Sequence, residues 1–369
     1  MQLFSLRNCT VLLLILLLAA CKGEEKPVSK EEAAQMASDL QASIKKRNAT
    51  KFNEAFDVEA LMERMKKVAS FKMNVATVRG VAEGFKSGQL GTELIRSLGK
   101  GGTYELVKQY EKDKKQHLVF RLFGSDGKMN YHDLELVKKK EQIKVADMFI
   151  YLSGENLSTT LAQTMAMMDE NYDSMSKSER SKISDVKKIR RLLTEGKYDE
   201  ANKLYQQLPD LLKQQKMAMI INVEIASGLG DEAYTKSMDD YEKAFPDAPN
   251  MYLMKIDASI LRKDYAGALK AVNQLDSLIN KDDLLDYHRG LISNLTKDKE
   301  AQRMYFERLV ANKPDFAPGT LELMVHYLEN DDTDKAVPLF KKYQANPDAD
   351  KDQIDALFTL YPDLKKKVG

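Results

Sequence analysis

The sequence predicts an α+β domain followed by an all-α helical solenoid, with a short leader in front of both. Three observations lead to this fold class. Helical patterns and then four β-rich runs occupy the first part of the chain, an order typical of α+β domains. After residue 170, apolar helical segments recur every 32 to 35 residues, which indicates stacked helix pairs. An apolar run that ends at Cys21 precedes both regions.

The N-terminal apolar run extends from Val11 to Leu18 and is followed by Ala19, Ala20 and Cys21. A transmembrane helix needs about 20 apolar residues, so this run is too short to cross a bilayer. Small residues directly before a cysteine, after a leader that carries Arg7, resemble the signal of a bacterial lipoprotein. The resemblance implies a signal peptide over residues 1–20, and a lipid on Cys21 that attaches the protein to a membrane.

Charge and cysteine content limit where the protein can be located and what it can bind. Loss of the leader removes Arg7 and no acid, so 56 basic and 56 acidic residues remain, which argues against nucleic acid as a partner. Cys9 leaves with the leader and Cys21 carries the lipid, so no internal disulfide can form. Residues Lys22 to Lys26 resemble export signals of surface lipoproteins in some Bacteroidetes. We expect a lipid-anchored cell-envelope protein of the outer membrane, on its periplasmic or its surface face.

Three helices are predicted after a linker over residues 21–28. Ser29 and Glu32 form a capping box that begins the first helix. The second is predicted over 57–68 from apolar residues at helical spacing. The third is predicted over 75–98 and is interrupted by glycines. These glycines are Gly80, Gly84, Gly88 and Gly91.

Four β-rich runs follow and predict an antiparallel meander. The runs are Tyr104 to Tyr110, His117 to Phe123, Met129 to Val137, and Gln142 to Leu152. Asp126-Gly127 favours a two-residue loop between the second and third runs. Lys139-Lys140 is the corresponding loop between the third and fourth. The predicted α+β domain therefore covers residues 29–170.

The order of helices and then a four-stranded meander resembles cystatin-like and nuclear transport factor two-like folds. In addition, Tyr131-His132 followed by Ala146-Asp147 resembles a segment of bacterial lipoproteins that also carry helical repeats. The resemblance covers residues 100–165. It implies a module that commonly binds a ligand or a protein and is less often an enzyme.

The predicted hairpins place three polar residues opposite one another. With two-residue loops, Arg121 pairs with His132 and His132 pairs with Asp147, so the three form a row on one face. Such a row is either the floor of a ligand pocket or a cross-strand charge network. We favour the network, because opposite charges are ordinary cross-strand pairs. A slip of one residue in either hairpin would remove the row.

Five segments in residues 171–369 share an alanine that follows a short polar turn. The alanines are Ala201, Ala233, Ala268, Ala301 and Ala336. Their spacing resembles the tetratricopeptide repeat, in which a small residue lies where two antiparallel helices cross. Prolines at the repeat boundaries fit the same pattern. They are Pro209, Pro246, Pro314 and Pro347. Larger residues replace the glycine of the family's first helix, so the repeat is degenerate, and a capping helix is expected over 354–360.

The sequence contains no catalytic or metal-binding motif. Its four histidines include no pair at metal-ligand spacing, and it has no nucleophile elbow, phosphate loop or HExxH motif. We therefore expect no cofactor, and a non-enzymatic scaffold that binds another envelope protein through its repeats. The alternative is a small-ligand binder or an enzyme that uses the pocket of Arg121, His132 and Asp147. The oligomeric state stays open.

Overall fold

The protein is described from a computed structural model. The described residues are 27–68, 75–125, 127–172, 176, 182, 185–246, 252–347 and 349–368. The leader, Cys21 and Asp126 therefore lie outside them. Within these ranges, no helix has the length and apolar character that a membrane crossing requires.

Within the described part of the chain, five helices precede the sheet. They are α1 (Lys30–Lys45), α2 (Thr50–Ala55), α3 (Val58–Val68), α4 (Val75–Lys86) and α5 (Gln89–Leu98). The predicted capping box is confirmed: the Ser29 hydroxyl accepts from the Glu32 N–H, and the Glu32 carboxylate accepts from the Ser29 N–H. The sequence pattern missed α2. The predicted third helix is two helices, because Gly88 takes a left-handed φ of 71° between α4 and α5.

The sheet is antiparallel and its strands follow chain order. They are β1 (Thr103–Lys112), β2 (Lys115–Phe123), β3 (Met129–Lys139), β4 (Gln142–Ile150) and β5 (Glu155–Asn156). The short β5 adds to the predicted four-stranded meander. Strand β2 is buried at every position from Leu118 to Phe123. Burial without alternation shows that both faces of the sheet are covered.

In the described residues, helices α6 (Leu157–Tyr172) and α7 to α19 follow the sheet. The latter are α7 (Asp185–Thr194), α8 (Tyr198–Gln206), α9 (Asp210–Lys213), α10 (Lys216–Ser227), α11 (Asp231–Ala244), α12 (Tyr252–Leu261), α13 (Tyr265–Ile279), α14 (Leu285–Leu295), α15 (Lys299–Asn312), α16 (Ala317–Glu329), α17 (Thr333–Gln344), α18 (Lys351–Leu360) and α19 (Pro362–Val368). Five consecutive pairs pack together, namely α7 with α8, α10 with α11, α12 with α13, α14 with α15, and α16 with α17. The helical repeat is therefore confirmed.

The repeat alanines all lie near the start of the second helix of a pair. Ala201, Ala268 and Ala336 have no exposed surface, as expected where two helices cross closely. Ala233 and Ala301 are half-buried. The four boundary prolines each follow the end of a second helix.

One hydrophobic core joins the sheet to the solenoid. Helices α1, α2 and α5 cover one face of the sheet, where they pack against sheet residues such as Phe120. The other face contributes Val119, Phe123 and Tyr131 to a core that continues through α12 to α19. At this boundary the ring of Phe123 meets that of Phe316 edge to face, with centroids 5.2 Å apart. The repeat therefore uses part of its own surface to hold the N-terminal sheet.

Candidate functional site

The predicted row of Arg121, His132 and Asp147 does not form. The Gly124 N–H donates to the Lys128 carbonyl at the end of the first hairpin, which leaves a loop of three residues, 125–127, instead of two. Gly127 takes the left-handed conformation that such loops need. The extra residue shifts the register by one, so Arg121 pairs with Tyr131. Because neighbouring residues on a strand face opposite ways, His132 lies on the other face of the sheet.

The second hairpin differs as well. Its loop is Lys140-Glu141, one residue later than predicted, and the ladder is irregular next to Glu135. Consequently His132 pairs with Ile150, and Asp147 pairs with Glu135. The three predicted residues belong to three separate environments.

Arg121 connects the sheet to the solenoid. Its Nη1 donates to the carboxylate of Asp282 at 2.5 Å, and both side chains are only 2% exposed. The Tyr131 hydroxyl donates to the same carboxylate at 2.8 Å, and the Leu284 N–H does so at 3.1 Å. Arg121 also pairs with Glu105 on β1. This arrangement is a buried ion pair between the sheet and the solenoid and not the floor of a pocket.

His132 is a core histidine. The Tyr104 hydroxyl lies 3.3 Å from its Nδ1, and the Asn130 amide lies 3.3 Å from its Nε2. Burial lowers the pKa of His132 to about 4. The imidazole is therefore neutral at physiological pH. It packs on the face of the sheet that α1, α2 and α5 cover.

Asp147 is held between the sheet and two helices. Its carboxylate accepts from the hydroxyl and N–H of Ser158 on α6 and from its neighbour's backbone N–H. The Nε of Arg64 on α3 lies 3.9 Å away. Burial raises the pKa of Asp147, and these hydrogen bonds oppose that shift.

A cleft of about 510 Å³ lies between the sheet and α13. The sheet side carries polar residues from β1, β2 and β3, among them Tyr110, His117 and Asp133. The solenoid side supplies Leu278 and Ile279 from the end of α13. The cleft exists only because the solenoid packs on the sheet, so sequence patterns local to either region could not reveal it.

Hydrogen bonds fix the polar wall of this cleft. His117 Nδ1 lies 3.0 Å from the Asp133 carboxylate, to which the Tyr110 hydroxyl also donates. The rings of Tyr110 and His117 are stacked at 4.8 Å. Lys115 and Arg64 both pair with the neighbouring Glu135. The wall is thus a preorganised set of donors and acceptors.

The strand register explains why these residues meet. Tyr110 pairs with His117 across β1 and β2, His117 pairs with Glu135 on β3, and Glu135 pairs with Asp147 on β4. The structure therefore contains a polar row, but it runs through His117 instead of His132. The sequence Ser125-Asp126-Gly127 fits a two-residue loop and also a three-residue loop that ends in glycine, so it did not select this register.

A second cavity, which is shallow and largely open to solvent, has a volume of about 780 Å³ and extends along the exposed face of α13. Tyr252 of α12 borders it, and its α13 residues are Ala266, Leu269, Lys270, Asn273, Gln274, Ser277 and Leu278. Leu278 is 43% exposed and lines both cavities. We call this second cavity the α13 groove.

The described ranges contain no group of three His, Cys, Asp or Glu side chains placed to hold a metal ion.

Known proteins resemble the chain only in part. No family model matches it, and no curated protein does. A solved structure of MamA from residue 41 to the end, from Desulfovibrio magneticus RS-1, shares 17% identity over 47% of this chain and 99% of that chain, with a TM-score of 0.38. The MamA RS-1 ArsTM double mutant shares 18% over 46% and 94%, with a TM-score of 0.37. Structural similarities with TM-scores this low support no inference about function. The functional proposal therefore depends on this chain's own contacts.

Proposed function

We propose that this chain is a lipid-anchored protein of the cell envelope that binds a segment of another protein in the α13 groove. The observation that carries the proposal is the exposed apolar side chain of Leu278 at the end of a groove with both apolar and amide walls. Concave sites that combine apolar surface with a few polar groups are typical of binding sites.

The groove offers the chemistry that a polypeptide needs. The amide of Gln274 has no hydrogen-bond partner within the described part of the chain, so it is available to a peptide backbone. Tyr252, Leu269 and Leu278 provide apolar contacts. The twelve residue steps from Ala266 to Leu278 extend over about 18 Å of helix, enough for about five residues of an extended segment.

The lipid anchor belongs to the same proposal. Its support is the apolar run before Cys21 and the small residues next to that cysteine. The order of α1 to α5 and then β1 to β4 supports the resemblance of the N-terminal unit to cystatin-like and nuclear transport factor two-like folds.

Site-specific photo-crosslinking tests the groove. A photoreactive residue at position 274, in protein attached to its native membrane, should give a protein adduct that mass spectrometry identifies. The same residue at exposed position 206 on α8 is the matched control and should give none. Tyr252→Ala should reduce the adduct at 274 while the far-ultraviolet circular dichroism stays unchanged. Equal adducts at 274 and 206, or none at 274, would contradict the proposal.

A further inference from the structure

The cleft between the sheet and α13 has a polar site that the scaffold function does not use. Asp133 accepts hydrogen bonds from both Tyr110 and His117. A carboxylate at Nδ1 holds a proton on that nitrogen, so in the neutral imidazole Nε2 is the acceptor. No residue of the described ranges donates to Nε2 of His117. The imidazole is therefore oriented and stacked, with one acceptor left for a ligand.

The charges of the cleft balance one another. Three lysines and three carboxylates line it, so its formal charge is zero; these residues are Lys108, Lys112, Lys115, Asp113, Asp133 and Glu135. The inner carboxylates, Asp133 and Glu135, are already paired with donors of the protein. A charged ligand would bring an unbalanced charge into a partly buried cleft, which is costly. The cleft consequently favours an uncharged ligand with many hydrogen-bonding groups.

Apolar side chains form the rest of the cleft. The rings of Phe149 and Tyr151 meet edge to face at 5.2 Å and are joined by Leu278 and Ile279 of α13. These surfaces suit the C–H face of a compact ring. The volume of about 510 Å³ lies in the usual range of small-molecule sites.

We propose that this cleft binds a small, uncharged, polyhydroxylated ligand of the chemical class of a sugar. One ligand hydroxyl donates to His117 Nε2, and the ring packs against Phe149 and Tyr151. The lysines at the mouth donate to further hydroxyls. This site is separate from the α13 groove, although Leu278 borders both.

Three matched probes of the same ring test the proposal, namely glucose, the cationic glucosamine and the anionic glucuronate. The readout is nuclear magnetic resonance of the histidine imidazoles in the full mature chain at neutral pH. Glucose should shift the His117 signals and leave those of His132, on the other face of the sheet, unchanged. Both charged probes should bind several-fold more weakly than glucose.

Variants of His117 separate recognition from folding. His117→Phe retains a ring next to Tyr110 but removes Nε2, so glucose affinity should fall by up to about tenfold. His117→Gln retains an acceptor and should bind within a few-fold of the natural chain. His132→Gln is the control and should bind glucose normally. Should His117→Phe not fold, Asp133→Asn takes its place, because it removes the charge that orients the imidazole.

Four results would overturn the proposal. These are no shift of His117 with glucose, equal binding of all three probes, tighter binding of either charged probe, and unchanged glucose affinity in folded His117→Phe or Asp133→Asn. None of them would bear on photo-crosslinking at position 274, so the two proposals fail independently.

Discussion

Replacement of Arg121 by methionine should destabilise the protein more than any exposed charge deletion. Arg121 and Asp282 are each 2% exposed, and Nη1 lies 2.5 Å from the carboxylate. Without Arg121, the buried Asp282 keeps hydrogen bonds from Tyr131 and Leu284 but loses its positive partner. Removing one member of a buried pair costs about 3 to 5 kcal/mol, and the two remaining hydrogen bonds place this case near 3 kcal/mol.

Urea unfolding followed by circular dichroism at 222 nm measures this cost, since the chain has no tryptophan. Lys51→Met is the matched control, because Lys51 and Asp39 form a pair in which both side chains are about half exposed. Its unfolding midpoint should be nearly unchanged.

A double variant isolates the charge. In Arg121→Met with Asp282→Asn, the single amide oxygen can accept from Tyr131 or from the Leu284 N–H, and no uncompensated charge is buried. The double variant should therefore be more stable than Arg121→Met by itself. Our account of the ion pair would be refuted if Arg121→Met cost less than about 1 kcal/mol, or if the two substitutions were simply additive.

Four other changes probe packing, pH dependence and the anchor. Gly290→Ala should destabilise by about 1 to 3 kcal/mol, because the new Cβ would lie 2.3 Å from the Phe306 ring. In Gly80→Ala the new Cβ would meet no other element of the described residues within 4 Å, so this change should instead stabilise by about 0.5 to 1 kcal/mol; urea titrations compare the two. Burial lowers the pKa of His132 to about 4, so the unfolded chain takes up a proton first as pH falls from about 6.5. The free energy of unfolding should drop between about pH 6.5 and 4, and His132→Gln should reduce that drop by up to about 3 kcal/mol; an unchanged slope would exclude this residue as the cause. Cys21→Ser should lose labelling by a fatty-acid analogue, and equal labelling of both chains would disprove lipidation.

Features set by neighbouring residues were predictable from the sequence. The capping box at Ser29 involves residues three apart, and the repeat alanines such as Ala268 recur at a fixed period, so local pattern is enough to find them. The existence of β1 to β4 was predictable for the same reason. The register of the strands was not predictable. One loop residue more than expected before Gly127 places every side chain of β3 on the face opposite to the one that the predicted register gave it.

Contacts between distant parts of the chain were decided only by the tertiary structure. Arg121 finds its partner in Asp282, 161 residues further along the chain, and no periodicity reports such a pairing. The sequence also marked His132 as a candidate, whereas packing buries it and places His117 in the cleft. The cleft itself requires that α13 cover the sheet. Local interactions thus determine which elements form, while the burial of both sheet faces determines which polar side chains remain able to bind.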